Sequence, residues 1–173
     1  MEGLLSSAIK TSLEKIVSHC FYCNRIADRI CSILSVKFVM PITSNIIHEN
    51  VAHLYPLLAD NISGYMDSRD CTTIYGETPK GNQEYDSAIE CFNKLLEVQL
   101  QLENLTKESI AMANKENDYT TKVLLDSFLL RLIPLTSDLL TLVDKAELYS
   151  DSSMGMMKLD HDVPSFNLFG GAE

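Results

Sequence analysis

Residues Ile46–Ile62 read I-I-H-E-N-V-A-H-L-Y-P-L-L-A-D-N-I. Ile47, Val51, Leu54, Leu58 and Ile62 recur at three- and four-residue steps, the stripe of an amphipathic helix. Thr43 or Ser44 is the expected N-cap, and the helix is expected to run from about Ser44 to Asp70 with a kink at Pro56, which lacks a backbone donor. The same helix carries His48, Glu49 and His53. Inward-facing His and Glu on a helix of an all-α bundle are the usual material of a carboxylate-bridged metal site.

Three further long segments surround this one. Leu4–Val36 places Ile9, Leu13, Ile16, Val17, Cys20, Cys23, Ala27, Ile30, Cys31 and Leu34 at helical spacing. Glu84–Asn114 does so with Ala88, Phe92, Leu95, Leu96, Leu102, Leu105 and Ile110, leaving Glu97, Glu103 and Lys107 for a solvated face. Tyr119–Tyr149, capped by Asn117-Asp118, is apolar almost all round in its middle. A helix apolar on all sides must be covered on all sides, which a single four-helix subunit does not do. A homo-oligomer is the expectation.

The connections are equally informative. Cys71–Gln83, punctuated by Gly76, Pro79 and Gly81, is long enough to cross a bundle and join parallel neighbours. Four helices of roughly 25–30 residues with one such crossover describe an all-α four-helix bundle of the ferritin-like kind. The bundle is expected over residues 1–149. A tail over 150–173 then either stays partly disordered or docks Phe166, Leu168 and Phe169 on a neighbouring subunit.

Bulk properties narrow the function classes. The net charge of −10 opposes non-specific binding to phosphate backbones, and Met1–Lys10 is no basic arm, so nucleic acid is not an expected partner. Val123–Val143 is the most apolar run, yet it contains Asp126, Arg131, Pro134 and Asp138, so no membrane span is expected. The N-terminal segment is interrupted by Lys10, Glu14 and Lys15 and reads as no secretory leader. The five cysteines are odd in number and sit mostly in apolar helical positions, which suits reduced thiols in a cytoplasm.

The sequence resembles the Dps branch of the ferritin superfamily. Segment I-H-E-N-V-A-H-L-Y-P-L-L-A-D-N-I is similar to that family's L-H-E-x-x-x-x-x-Y-x-x-L-A-D-x-I. The connection I-Y-G-E-T-P-K-G-N-Q-E-Y is similar to its G-G-x-P-x-G-T-x-x-E-Y loop, and N-D-Y-T-T-K-V-L-L to its D-x-x-T-x-x-x-L. Order and spacing agree over about Leu34–Tyr149. The resemblance implies a hollow shell, usually a homododecamer, that oxidises and stores ferrous iron and so protects against peroxide stress, sometimes with DNA binding.

The ligands that the resemblance implies are mostly replaced. The Dps helix-B carboxylate positions fall at Ala52 and Pro56, and the first helix-A histidine position near Val36. In the Glu-x-x-His pattern of ordinary ferritins only His53 matches, with Asn50 at the Glu position. Aligning on Asp118-Tyr119 puts the helix-C Glu at Gln99 and the helix-D carboxylates at Arg131 and Pro134, where Arg131 would repel a cation. A site for Fe(III) wants carboxylates. Two readings follow: an iron-binding or iron-storage protein with a non-standard ferroxidase site, or a helical scaffold or interaction protein that has lost its metal.

Candidate metal ligands are His48, Glu49 and His53. Residues five apart lie about 140° from one another around an α-helix, so His48 and His53 are not expected to share an ion. Glu49 and His53, four apart, can share one, or form a plain surface pair. Cys20 and Cys23, preceded by His19, share a helix face and suit a soft metal, although buried cysteine is commonly a small hydrophobe. Met154, Met156, Met157 and His161 add a weak soft-metal signal in the tail. Asp60, Asp67 and Asp70 fit either a pore lining or a solvated face.

Overall fold

The computed structural model describes residues 3–170, and these contain helices and no strands. Met1 and Glu2, and residues 171–173 of the tail, lie outside the described residues. Helix α1 spans Ser7–Val36, α2 Pro41–Ile47 and α3 Leu54–Ser68. A π-helical turn, His48–Ala52, joins α2 to α3. Helices α4 (Ala88–Lys115) and α5 (Tyr119–Tyr149) complete the bundle, followed by α6 (Ser153–Asp162) and a 3₁₀ turn, Val163–Phe166.

Each long helix starts where a side chain can satisfy its free N–H groups. Ser6 accepts from the Ile9 amide, Ser87 from Glu90 and Asp118 from Thr121. Helix α1 packs against α3 on one side and α4 on the other, and α4 packs against α5. The apolar stripes read from the sequence meet in one core, with Ile16, Ile26, Tyr55, Phe92, Leu102 and Leu132 fully buried.

The crossover between α3 and α4 runs the length of α1. Near its beginning, the Ile74 amide donates to Glu14 at 2.9 Å. Farther on, Arg25 donates to the Thr78 and Pro79 carbonyls, Arg29 to the Gln83 carbonyl, and Lys37 to the Tyr85 carbonyl. Gly81 passes so close that a Cβ there would meet the Arg25 side chain at 2.7 Å. The crossover therefore carries the chain from the N-terminal end of α1 to its C-terminal end. As a result α3 and α4 run parallel to each other and antiparallel to α1, as the long connection predicts.

The second helix departs from expectation. It begins at Pro41, ahead of Thr43 and Ser44, with no side chain of its own as cap. The cap comes from α6: buried Asp160 accepts from the Thr43 amide at 2.7 Å and the Ile42 amide at 3.3 Å. The irregularity expected at Pro56 lies instead in the turn before it. Proline at position 56 cannot donate to the Ala52 carbonyl, and its ring crowds that carbonyl. The backbone widens upstream of it, where the His53 amide donates to the His48 carbonyl five residues back, at 3.2 Å.

The tail packs on its own chain. Leu159, Val163, Leu168 and Phe169 are buried, and the Phe169 amide donates to Asp138 on α5 at 2.7 Å. Phe166 is partly buried against the same core, with the Lys145 ammonium over its ring. Helix α5 keeps an apolar stripe outside the subunit. Val123, Leu130, Ile133 and Leu140 are between 46% and 68% exposed, and their spacing of seven, three and seven puts them on one side.

Candidate metal centre

The donors of the bundle interior do not fit a di-iron centre. Buried Gln99 of α4 stands at the middle of the interior. The Tyr55 hydroxyl donates to Gln99 Oε1 at 3.0 Å. Gln99 Nε2 donates in turn to the Leu132 carbonyl at 3.3 Å and to Thr136 Oγ1 at 3.1 Å. Thr136 donates to Glu103, whose other oxygen pairs with Lys107 at 3.1 Å. Every polar atom of the Gln99 amide is thus used within the protein. The single carboxylate of this network is already neutralised by a lysine. A hard-oxygen iron site needs several carboxylates with free lone pairs.

Several expectations change here. Gln99 does occupy an inward helix-C position. Arg131 and Pro134 do not occupy inward helix-D positions: both face solvent, and Leu132, Leu135 and Thr136 point inward. Arg131 therefore exerts no close repulsion on the interior. Glu103, expected on a solvated face, is buried beside Thr136. Ala52 is buried and Val36 exposed, neither with a ligand atom to offer.

Cys20 and Cys23 also face the interior and are fully buried. Burial pushes the Cys20 thiol up to about 12, and burial with the neighbouring Cys20 pushes Cys23 up as well. Cys23 donates to the Val98 carbonyl at 3.5 Å, and His19 Nε2 lies 2.8 Å from that same carbonyl. The Tyr55 hydroxyl is raised by burial and by these two thiols. Protonated thiols in an apolar surround are poor metal ligands. Asp60, Asp67 and Asp70 are exposed, as are Met154, Met157 and His161 in the tail, and among the described residues none of these Asp or His side chains joins a group of three ligand residues.

His48, Glu49 and His53 do come together, contrary to the α-helical count. In the π turn, residues five apart stack one above the other. The two imidazole centroids lie 4.3 Å apart at an interplanar angle of 63°. His48 Nδ1 is 3.2 Å from Glu49 Oε1, and His53 Nδ1 is 3.6 Å from Glu49 Oε2. One ligand atom from each residue falls within 4.8 Å of the others, a group that one ion can gather with small side-chain rotations. Among the described residues this is the one such cluster. It lies on the outside of the subunit, not in the bundle, and each of its three side chains is about half exposed.

Sequence reasoning missed two residues of this region, both on α1. Asp28 Oδ1 is 3.7 Å from His48 Nε2. Asn24, one helical turn earlier, donates to Asp28 Oδ2 at 3.3 Å and to the Ala52 carbonyl at 3.0 Å. No local signal in the sequence points to either. Only the packing of α1 against the π turn brings them there.

No curated protein matches the chain. Among solved structures, an open-pore ferritin from the hyperthermophilic archaeon Archaeoglobus fulgidus superposes with a TM-score of 0.86 at 16% identity, over 92% of this chain and 97% of that one. A humanized archaeal ferritin gives 0.85 at 16% identity, over 92% and 95%. A closed form of the Archaeoglobus fulgidus ferritin, engineered by site-directed mutagenesis, gives 0.80 at 17% identity, over 92% and 96%. At these identities the likeness establishes the fold. The ferritin-like domain also matches in sequence over residues 57–148, more than half of the chain and at a level above the Dps branch. Fold and sequence agree, and the chain belongs to the ferritin-like domain family.

Proposed function

We propose that this protein is an iron-binding subunit of a homo-oligomeric ferritin-like shell, and that it takes up ferrous iron at the π turn instead of in the bundle interior. The observation that carries the reading is the convergence of His48, Glu49 and His53. Two imidazoles and one carboxylate with solvent-facing positions left open are a donor set that suits Fe(II). The net charge of −10 favours cation approach. Any oxidation takes place at this non-standard site, because among the described residues the bundle interior holds no carboxylate pair. Removing ferrous iron from solution would limit its reaction with peroxide, a protective role in a reducing cytoplasm that suits five free thiols.

Assembly draws support from the exposed stripe on α5. No described helix is long and apolar enough to cross a membrane. A shell of twelve subunits is the Dps-like arrangement and the one proposed here. The Gln99 network favours a second reading, a scaffold subunit, since its neutral hydrogen bonds hold three helices together without metal.

The test is ferrous addition to the purified protein under air. Absorbance growth faster than in buffer, lost in both His53→Ala and Glu49→Ala, supports iron uptake at the π turn. Uptake no greater than in a buffer control overturns it and leaves the scaffold.

A further inference from the structure

Asp28 lies on the far side of His48 from Glu49. His48 Nδ1 faces Glu49, and Nε2 faces Asp28. An imidazole that binds a metal through one nitrogen carries its proton on the other. A carboxylate accepting that proton fixes the tautomer and ring angle and makes the ligating nitrogen more basic. We propose that Asp28 is the positioning carboxylate of a divalent-metal site whose direct ligands are His48 Nδ1, Glu49 and His53. This rests on the reading of the π turn as the metal-binding site.

The surroundings of Asp28 suit that task. Its side chain is about half exposed, so it is not forced against His48 by packing. Asn24 holds it instead, donating to Asp28 Oδ2 and leaving Oδ1 toward His48. The same Asn24 amide group reaches the Ala52 carbonyl that Pro56 leaves without a donor. One asparagine thus ties the widened backbone, which brings the two histidines edge to face, to the carboxylate that orients one of them. A direct Asp28–metal bond fits less well. With His48 Nδ1 aimed at Glu49, the ring itself stands between Asp28 and the ion.

The proposal separates direct ligands from the positioning residue by affinity and by spectrum. Cobalt(II) chloride is titrated into the purified wild-type protein and followed by its visible ligand-field bands. His53→Ala is expected to abolish the bands. Asp28→Asn keeps the size of the side chain but loses its charge. It is expected to weaken cobalt(II) binding about 10- to 100-fold, to shift the bands, and to leave the thermal midpoint of the metal-free protein unchanged. Asp28→Glu is expected to restore most of the affinity. Wild-type affinity and bands in Asp28→Asn overturn the proposal while the π-turn site stands. Complete loss of binding in Asp28→Asn, with the fold intact, makes Asp28 a ligand and also overturns it. No cobalt(II) or ferrous binding by the wild type overturns the site reading itself.

Discussion

The Asn24 amide on α1 donates to the Ala52 carbonyl at 3.0 Å, and Ala52 is the residue whose helical donor Pro56 removes. The pairing replaces an intrahelical hydrogen bond with one between helices. Ala52 itself is fully buried, so its carbonyl has few other partners. Asn24→Ala is expected to destabilise the protein by about 1–3 kcal/mol, the usual cost of leaving a buried acceptor unsatisfied. A fall in the urea midpoint with an unchanged m-value would report it. An unchanged midpoint would mean that water reaches the Ala52 carbonyl.

Gln99 links α3, α4 and α5 through Tyr55, Leu132 and Thr136. Gln99→Leu matches its size but strands the Tyr55 hydroxyl and removes the donor to Thr136. The expected loss is about 1–3 kcal/mol, since stranded buried partners bear their full desolvation. Tyr55→Phe in the same chain is expected to recover part of it, because the orphaned hydroxyl goes too. Additive losses in the double variant would show that the two groups act independently.

Much of this fold was legible from periodicity. Helix α5 occupies the expected span, because Asp118 supplies a local cap and apolar residues keep helical spacing past Asp126, Arg131, Pro134 and Asp138. The crossover was legible because Gly and Pro punctuate it. The π turn was not. Its cause is Pro56, visible in the sequence, but its shape depends on Asn24, far away in the chain and brought near only by packing. Counting at an α-helical period therefore separated His48 from His53 wrongly. The inward face of α5 was misplaced because register was carried across the α4–α5 turn by alignment, and Leu132 and Thr136 take the positions given to Arg131 and Pro134.

Two kinds of buried group set the pH dependence. His19 is held below its usual 6.5 chiefly by burial, with the Val98 carbonyl pulling the other way. The unfolded chain takes up this proton first, so stability is full above pH 6.5 and falls as pH drops toward the folded value. Burial raises Cys20, Cys31 and Cys91 to about 12 from 9.0. The unfolded chain releases these protons first, so stability falls as pH rises above 9.0. The urea midpoint is expected to peak between these limits. His19→Gln should flatten the decline that begins below pH 6.5, above the carboxylate range. An unchanged acid limb in that variant would assign it to other groups.

The stripe Val123, Leu130, Ile133 and Leu140 is large for a surface that meets only water. Leu130→Lys with Leu140→Lys puts two charges into any interface there. Light scattering is expected to give a mass several times 19.4 kDa for the wild type and near 19.4 kDa for the double variant, with helicity unchanged. A wild-type monomer would refute assembly. A double variant that still assembles would move the interface to another face.

Pro56 is the residue on which the metal reading can be broken without touching a ligand. Pro56→Ala returns the missing N–H, which then competes with Asn24 for the Ala52 carbonyl. Alanine also removes the ring that crowds this carbonyl and is the better helix former. Both effects favour an uninterrupted α-helix from α2 into α3. Relaxing the π turn to α-helical winding leaves His53 about 140° around the helix from His48. The gain is one helical hydrogen bond, set against the displaced Asn24 amide and any rotation of buried Ile47 and Val51 away from the core they share with Tyr55 and Leu58. Cobalt(II) affinity is expected to fall at least about tenfold, since one imidazole leaves the group. Higher stability with weaker binding would identify the π turn as strain kept for the site. Unchanged affinity would mean that Asn24 and the packing of α1 hold the turn without help from the proline.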